Sequence, residues 1–405
     1  ICSRSRLHNI FASLFFSELL SVASCQCLFI MPTTQQTASI PVIDIAPLVY
    51  SLSTSADTCV TPACAQVISA LSDAAKTHGI FAVTGHGIPI DVMDAALLAT
   101  KDALDIGGHA EAECWQELEE RASKRLPGEF ANFAPAGREN IGRLFNKDGQ
   151  APSEAIAKFT VWPPAWEKDP TVAARSSNLW PPTANGDILR VALERYYAEV
   201  QRVSDVLQNG LSQSIGQPGS FIKDMLGPYG QGLVRALRYQ RTEDVDLAAP
   251  AMAAHKDLGT TTLLYSDAVG LQFQPRNSSE WIDVMIPRGA LAVNLGEFFE
   301  VWTRGAWQAT RHRVSASGRQ GRTTLVYFSS QAIPVPCDGR ARKDRIISPL
   351  DHFADAIDAQ QTSFGSSQHS LKWPSYMLER IASLAKGPDS SPNADVTSHA
   401  NAAGA

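Results

Sequence analysis

Between residues 233 and 330, the chain consists of short β-rich segments separated by turns. These segments are LVRALRY, TTTLLY, GLQFQ, WIDVMI, ALAVNLG, HRVSAS and RTTLVYFSS. Strands that follow one another so closely favour a sandwich or barrel over a parallel sheet, whose strands are joined by crossover helices. The spacing therefore predicts an antiparallel β core.

Helical patterns lie on both sides of this β core. Apolar residues recur at helical spacing in residues 65–76, 91–106, 187–215 and 373–386. Asp91 is the expected N-cap of the second of these helices. The predicted fold class is mainly β with flanking helices, including an N-terminal helical layer.

Two further strands are predicted near the N-terminal end of the patterned sequence. Residues 40–48, IPVIDIAPL, predict a short buried strand that a turn at Pro47 closes. GIFAVTGHGIP, which ends at Pro89, predicts a strand that enters a turn. In residues 121–182, Gly and Pro are frequent and apolar periodicity is weak, so we expect irregular structure there.

Composition and charge exclude several classes of partner. Of the 405 residues, 44% are hydrophobic and 19% are charged, which is typical of a globular protein. The formal net charge of −6 and the scattered Lys and Arg argue against nucleic acid or an anionic membrane as a partner. The apolar stretch 10–31 is interrupted by Glu18 and Gln26, so we expect no membrane span. A small molecule is the expected partner.

The cysteines and the first thirty residues bear on location. The seven cysteines are irregularly spaced and form no Cys-x-x-Cys pair, so we expect free thiols and a cytoplasmic location. Arg4 and Arg6 precede an apolar stretch, as in a targeting segment. Because the chain opens with Ile and a polar stretch follows Met31, we instead expect residues 1–30 to be upstream translated sequence.

The segment AHKDLG contains a candidate metal-binding pair. His255 and Asp257 are two residues apart, so on an extended strand both side chains point to the same face. His312, in TRHRV, is the best candidate for a third ligand. Two His and one carboxylate on one face form the facial triad expected of a non-haem Fe(II) oxygenase.

His-x-Asp alone is a weak signal, because the same pair occurs at solvated strand ends. The residues that follow it in order strengthen the prediction. Gly259 lies two residues after Asp257, a strand begins at Gly289, and His312 precedes a further strand that Arg322 opens.

This ordered series resembles the isopenicillin N synthase-like superfamily of Fe(II)/2-oxoglutarate-dependent dioxygenases, over residues 40–335. IPVIDIAPL and HGIFAVTGHGIP are similar to the leading domain of that family. The blocks that resemble its catalytic core are LRYQR, AHKDLG, GLQFQ, WIDVMIPRGALAVNLGEFFEVWTRGAWQATRHRV and GRTTLVYF. The resemblance implies a double-stranded β-helix (jelly roll) core.

The resemblance also implies roles for single residues. His255, Asp257 and His312 match the iron ligands, which are the expected catalytic residues. Arg322 matches the Arg that pairs with the distal carboxylate of 2-oxoglutarate, for which a planar guanidinium is suited.

Two further residues match the co-substrate subsite less closely. Thr324 stands where the family usually has Ser, and it keeps the hydroxyl; Thr is also common in strands. Tyr239 matches a Tyr that helps to hold the 2-oxo acid, although a core aromatic fits the position equally well. Leu237 replaces the usual Asn, and Gln240 begins the pair that replaces Pro-Pro. These departures separate the chain from the plant subfamilies.

The function that follows is oxidation of a small organic substrate, most simply hydroxylation, with Fe(II), 2-oxoglutarate and O2. Succinate and CO2 are the expected co-products. Two alternatives stay open: an oxidase of the isopenicillin N synthase type that does not use 2-oxoglutarate, and a non-catalytic jelly-roll binding protein. The predicted regions are residues 1–30 (leader or upstream segment), 40–182 (N-terminal dioxygenase region), 187–335 (jelly-roll core), 336–386 (C-terminal helical extension) and 387–405 (disordered tail).

Overall fold

The computed structural model describes twelve ranges of the chain. Every described residue lies in the compact unit Thr37–Ala405. The described residues are 40–54, 61–105, 112–123, 132–139, 154–170, 178–227, 231–241, 249–319, 321–330, 344–353, 370–373 and 375–376. The segments predicted as a leader (1–30) and as a disordered tail (387–405) lie outside them, as does most of the C-terminal extension.

Six of the described helices precede the β-rich half, and the seventh lies within it. They are α1 (Ala46–Thr54), α2 (Pro62–Thr77), α3 (Ile90–Leu104), α4 (Ala112–Ser123), α5 (Ala184–Ser214), α6 (Phe221–Leu226) and α7 (Glu297–Trp302). The 31-residue helix α5 contacts both α2 and α3. Thr183 caps α5, because its hydroxyl accepts a hydrogen bond from the Gly186 amide at 3.0 Å. Among the described residues, no helix combines the length and apolar character needed to cross a membrane.

Fourteen strands are described. They are β1 (Val42–Asp44), β2 (Ile80–Thr84), β3 (Phe133–Ala134), β4 (Ile156–Val161), β5 (Leu233–Tyr239), β6 (Met252–His255), β7 (Thr261–Ser266), β8 (Leu271–Phe273), β9 (Ile282–Asp283), β10 (Leu291–Leu295), β11 (His312–Val314), β12 (Thr323–Phe328), β13 (Arg345–Ile347) and β14 (Leu371–Trp373). The order in the eight-stranded sheet is β1-β2-β10-β7-β12-β5-β4-β3. A four-stranded sheet has the order β6-β11-β8-β9, and β13 pairs with β14.

Two apolar cores follow from the two faces of the large sheet. One face contributes Val234, Ala236 and Leu325 to a core that also contains the buried residues of α2, α3 and α5. The other face contributes Leu237 and Val326 to a second core. That core also includes residues of the four-stranded sheet, such as Phe273 and Val314. The two sheets therefore face each other across an apolar interior, which confirms the predicted jelly roll with a helical layer.

Several boundaries differ from those predicted near the N-terminal end. Only Ile43 of β1 is buried, and α1 begins at Ala46 where we expected a turn at Pro47. Proline is tolerated in the first turn of a helix, since the amide that it lacks has no partner there. Asp91 is not the N-cap of α3: that position belongs to Pro89, without a side-chain hydrogen bond, and Asp91 lies in the first turn.

The expectation of irregular structure across residues 121–182 is also wrong in part. Strand β4 lies within this region and all six of its residues are buried, paired on one side with β5. Trp373, the first residue of the last predicted helix, lies in strand β14 and pairs with Arg345. Nearly all the rest of that predicted helix lies outside the described residues.

The prediction of free thiols holds for one cysteine and fails for another. Cys114 is a free thiol. Cys64, which is fully buried at the start of α2, is disulfide-bonded. The irregular spacing of the cysteines therefore did not exclude a disulfide.

Candidate metal centre

Two neighbouring strands of the four-stranded sheet bring the predicted histidines together. His255 is the last residue of β6 and His312 is the first residue of β11. The strands are antiparallel and these two residues are direct partners, so their side chains project from the same face. The centres of the two imidazole rings are 4.3 Å apart.

Asp257 completes the cluster from the loop that follows β6. Its Oδ1 lies 3.6 Å from Nε2 of His255, and its Oδ2 lies 3.7 Å from Nε2 of His312. One potential ligand atom from each of the three residues lies within 4.8 Å of the others. All three side chains are buried, with exposed fractions of 4–8%. The predicted ligands are thus brought together, although Asp257 itself is not in a strand.

Backbone hydrogen bonds fix the orientation of both imidazoles. Nδ1 of His255 lies 2.8 Å from the carbonyl of Ala253, and Nδ1 of His312 lies 3.0 Å from the carbonyl of Thr310. Because a carbonyl only accepts, each Nδ1 carries the proton and each Nε2 keeps its lone pair for a metal. This is the second-layer arrangement usual for metal-binding histidines.

The electrostatics of the cluster favour a cation. Burial and the neighbouring His312 lower the pKa of His255 to about 4, so its imidazole is neutral at pH 7. Burial raises the pKa of Asp257, but the two histidines and the hydrogen bond from Asn294 together lower it below its ordinary value. A neutral imidazole and an ionised carboxylate are the forms that bind Fe(II).

Sequence reasoning missed two groups that hold Asp257 and its neighbours. Nδ2 of Asn294, in β10, donates to Oδ2 of Asp257 at 2.5 Å. Lys256, between the two candidate ligands, forms an ion pair with the buried Glu300 of α7 at 3.0 Å. A polar residue inside the apolar run LAVNL was the available signal for Asn294.

Arg322 lies immediately before β12 and is 2% exposed. Its Nε donates to the carbonyl of Ala268 at 3.3 Å, and its guanidinium lies 5.2 Å from the ring centre of Tyr239. Nη1 of Arg322 is buried and has no hydrogen-bond partner among the described residues. A buried guanidinium with an unused donor fits a ligand that brings a carboxylate.

Tyr239 and Thr324 lie near Arg322 on adjacent strands. The amide of Tyr239 donates to the carbonyl of Arg322 at 2.9 Å, and burial raises the pKa of the Tyr239 phenol to about 12. The Thr324 hydroxyl is fully buried and lies 3.2 Å from the hydroxyl of Ser266. The structure thus groups the three residues predicted for the co-substrate, and their roles stay predictions.

Comparisons with protein families agree with this geometry. The sequence model of the 2OG-Fe(II) oxygenase superfamily matches residues 231–331. The model described as non-haem dioxygenase in morphine synthesis N-terminal matches residues 40–182. The first match includes all the candidate ligands and Arg322, and the second precedes it in the chain.

Curated relatives are similar over most of the chain. A homoarginine-6-hydroxylase of Oryza sativa subsp. japonica is 26% identical over 301 residues, which are 72% of this chain and 85% of the relative. The 2-oxoglutarate-dependent dioxygenase traH of Penicillium crustosum is 27% identical over 256 residues, 62% of this chain and 73% of the relative.

Solved structures share the fold. A full-length Neurospora crassa protein in complex with alpha-KG and thymine superposes with a TM-score of 0.63 at 16% identity, covering 85% of this chain and 96% of that one. The rice dioxygenase for auxin oxidation superposes with a TM-score of 0.55 at 21% identity, covering 87% and 98%. The two family matches and the curated relatives show that the chain belongs to the Fe(II)- and 2-oxoglutarate-dependent oxygenase superfamily.

Proposed function

We propose that this chain hydroxylates a small organic substrate, with His255, Asp257 and His312 as the iron ligands. Its family makes it a 2-oxoglutarate-dependent non-haem iron dioxygenase that acts on a small molecule. When bound, the iron would supply the oxidative chemistry. The conversion of 2-oxoglutarate and O2 into succinate and CO2 would then be coupled to oxidation of the substrate. Hydroxylation is the reaction named for the rice relative.

The observation that carries the proposal is the geometry of the three ligand candidates. Both Nε2 atoms face the carboxylate of Asp257 at 3.6 and 3.7 Å, and both Nδ1 atoms are held by carbonyls. A donor set of two imidazoles and one carboxylate suits Fe(II) and leaves the remaining coordination positions for other ligands.

Arg322 supports the use of 2-oxoglutarate. Its unused, buried Nη1 can donate to the distal carboxylate of the co-substrate, and its fixed position would orient the 2-oxo acid. We propose that the Thr324 hydroxyl accompanies it and that the neutral Tyr239 phenol lines the same subsite. Burial of all three excludes water from the co-substrate, which strengthens each of these interactions.

Anaerobic titration of the protein with Fe(II), monitored by calorimetry, tests the assignment of the three metal ligands. The wild-type protein should bind one Fe(II) per chain, and Asp257→Ala should bind it at least about 100-fold more weakly, since it removes a ligand as well as a charge. The matched control is Asp283→Ala, in β9 of the same small sheet, where the carboxylate accepts from Gln272. Equal affinity in wild type and Asp257→Ala would show that the ligand assignment is wrong.

A further inference from the structure

Four charged side chains of the jelly-roll interior have no part in the proposed iron and 2-oxoglutarate sites. They are Glu139, Glu154, Lys158 and Arg235. Lys158, Glu154 and Arg235 are 2–7% exposed, and the Glu139 side chain is 18% exposed. Apolar residues at such positions are often as stabilising as buried ion pairs, so stability alone does not account for this cluster.

Strand register places the two cations on the face that carries the co-substrate subsite. In β5, Arg235 alternates with Leu237 and Tyr239, so the three side chains share one face. Lys158 of β4 is the direct partner of Leu237, and an antiparallel partner projects from the same face. Leu237 and Tyr239 both belong to the core between the two sheets. Lys158 and Arg235 therefore project into the jelly-roll interior.

A contact between the two sheets connects this face to the strand that carries His255. On the strand that carries His255, Met252 contacts the hydroxyl of Tyr239 through its sulfur at 3.9 Å. The same interior thus contains the candidate iron ligands and the two cations.

Glu139 bridges the two cations from outside the strands. Its carboxylate pairs with Nη2 of Arg235 and lies 3.7 Å from Nζ of Lys158. Burial raises the pKa of Glu139, but the positive charges of Arg235 and Lys158 together lower it below its ordinary value. Glu139 follows the turn after β3 and is the most exposed of the four, whereas Glu154 is 2% exposed and pairs with Lys158 at 3.1 Å.

The charges of these groups indicate what the cluster can accept. Lys158 and Arg235 lie in strands of the large sheet, and Glu154 lies two residues before β4. Counted by themselves, these three groups carry one net positive charge, and among the described residues Glu139 pairs with both cations. A ligand carboxylate could therefore take the position of Glu139 without leaving a buried charge unpaired.

We propose that Lys158 and Arg235 form a carboxylate-binding subsite for the primary substrate, an inference that rests on the proposed function. In the structure, the carboxylate of Glu139 occupies the position that the substrate carboxylate would take. The substrate class is then small organic acids, with the carboxylate held by the cations and the carbon to be oxidised near the iron. Arg235 can bind a carboxylate through two parallel hydrogen bonds, which would fix the orientation of the substrate.

Calorimetry with pairs of probes that match in size but differ in charge tests this subsite. The probes are linear and aryl-substituted monocarboxylic acids, such as hexanoate and phenylacetate, each compared with its primary amide. Each pair is titrated anaerobically into protein loaded with Fe(II) and saturating 2-oxoglutarate, which keeps Arg322 occupied, and into metal-free protein. We expect at least one acid to bind at least about tenfold more tightly than its amide. A failure of Fe(II) and 2-oxoglutarate to bind would instead contradict the proposed function, so the two proposals are tested by different results.

Substitutions in the cluster test whether Lys158 and Arg235 cause the preference for acids over amides. Arg235→Gln should weaken binding of the preferred acid by about 30-fold or more and leave binding of its amide unchanged. Arg235→Lys should bind the acid more tightly than Arg235→Gln does, because it keeps the positive charge. Glu139→Gln, which removes the competing carboxylate, should tighten acid binding. The matched control is Arg238→Gln on the opposite face of β5, where Arg238 pairs with Asp105. Equal binding of acids and amides, no binding of any acid, or an unchanged preference in Arg235→Gln would each overturn the proposal.

Discussion

The carboxylate of Asp257 receives a hydrogen bond from Asn294 at 2.5 Å, and its two oxygens face the two histidines. The amide of Asn294 thereby limits rotation of the carboxylate before any metal binds. The imidazoles are limited in the same way by the carbonyls of Ala253 and Thr310. Such preorganisation means that metal binding need not reorder the side chains.

Replacing Asn294 with Ala should weaken Fe(II) binding by about 10- to 100-fold, the usual effect of removing a partner that orients a ligand. Calorimetric titration under anaerobic conditions measures the change. The control is Asn209→Ala in α5, where the side chain accepts from Gln213 within the helical layer. A wild-type Fe(II) affinity in Asn294→Ala would show that the hydrogen bond does not orient Asp257.

His86 gives a prediction about pH. Its Nε2 donates to the carbonyl of Gly289 at 2.8 Å, and its Nδ1 accepts from the amide of Ile88 at 3.1 Å. Burial lowers the pKa of His86 below 6.5, so the folded state holds fewer protons than the unfolded state as pH falls through that value. The free energy of unfolding should therefore decrease below about pH 6.5.

Urea unfolding measured between about pH 7.5 and 5.5 tests this linkage. In His86→Gln, the decrease with falling pH should be smaller than in wild type, because one of the groups that drive it is gone. Buried His255 contributes in the same direction, so part of the decrease should remain. Identical pH profiles for wild type and variant would contradict the account of His86.

At this scale, sequence reasoning named the residues that supply chemistry and missed one that holds them. His255, Asp257 and Arg322 have residue types with a specific chemistry at a recognisable spacing. Asn294 carries no such signature, because its role depends on which strands lie beside its own. Only the register of β10 in the sheet brings it to Asp257.

Among the elements, the short helix α7 is what holds the loop after β6. The Glu297 amide donates to the carbonyl of Asp257 at 3.1 Å, and the Phe298 amide donates to that of Gly259 at 3.0 Å. Gly296 lies so close that a Cβ there would meet the carbonyl oxygen of Gly259 at 2.5 Å. The backbone that carries Asp257 is therefore set by the start of α7.

Gly296→Ala should displace this loop, because backbone atoms leave no space for the added methyl group. We expect a loss of about 1–3 kcal/mol of unfolding free energy and weaker Fe(II) binding. Leu118→Ala in α4 separates the two effects: its loss of a buried side chain should cost about 2–5 kcal/mol without changing Fe(II) affinity. Undisturbed Fe(II) binding in Gly296→Ala would show that α7 does not position Asp257.

Most strands of the β core could be predicted, and β5 has the predicted limits. Most of these segments are rich in apolar and β-branched residues, so the local pattern suffices. Strand β4 was missed because its inward-facing side includes Lys158 and Thr160, while its outward-facing side carries Ala157, Phe159 and Val161. Lys158 interrupts the apolar pattern of β4 on its inward-facing side, and it belongs to the proposed substrate subsite.

At the scale of the whole molecule, the jelly roll places the ligand strands and the Arg322 strand in opposite sheets. The resemblance predicted the jelly roll but not which strands share a sheet, and the pairing of His255 with His312 is seen only in the structure. Residues 57 positions apart in sequence meet because β11 returns beside β6. The cytoplasmic location and the region boundaries stay predictions.

Metal binding should stabilise the entire fold, because the ligands come from separate parts of the chain. At a free Fe(II) concentration about 100 times the dissociation constant, the unfolding free energy should rise by about 2.7 kcal/mol. Anaerobic denaturant titration of wild type measures this rise, and His255→Ala should show almost none at the same concentration. An equal rise in both proteins would indicate binding elsewhere.

The central claim is that the protein uses Fe(II) and 2-oxoglutarate. Its most direct test is an anaerobic titration of the Fe(II)-loaded protein with 2-oxoglutarate, monitored by visible absorption. Chelation of iron by the 2-oxo acid should produce a metal-to-ligand charge-transfer band that saturates in wild type and in the control Arg313→Ala. In Arg322→Ala the band should require a much higher 2-oxoglutarate concentration, since the distal carboxylate loses its partner. A protein that binds Fe(II) but develops no band would contradict the use of 2-oxoglutarate, and the oxidase alternative would take its place.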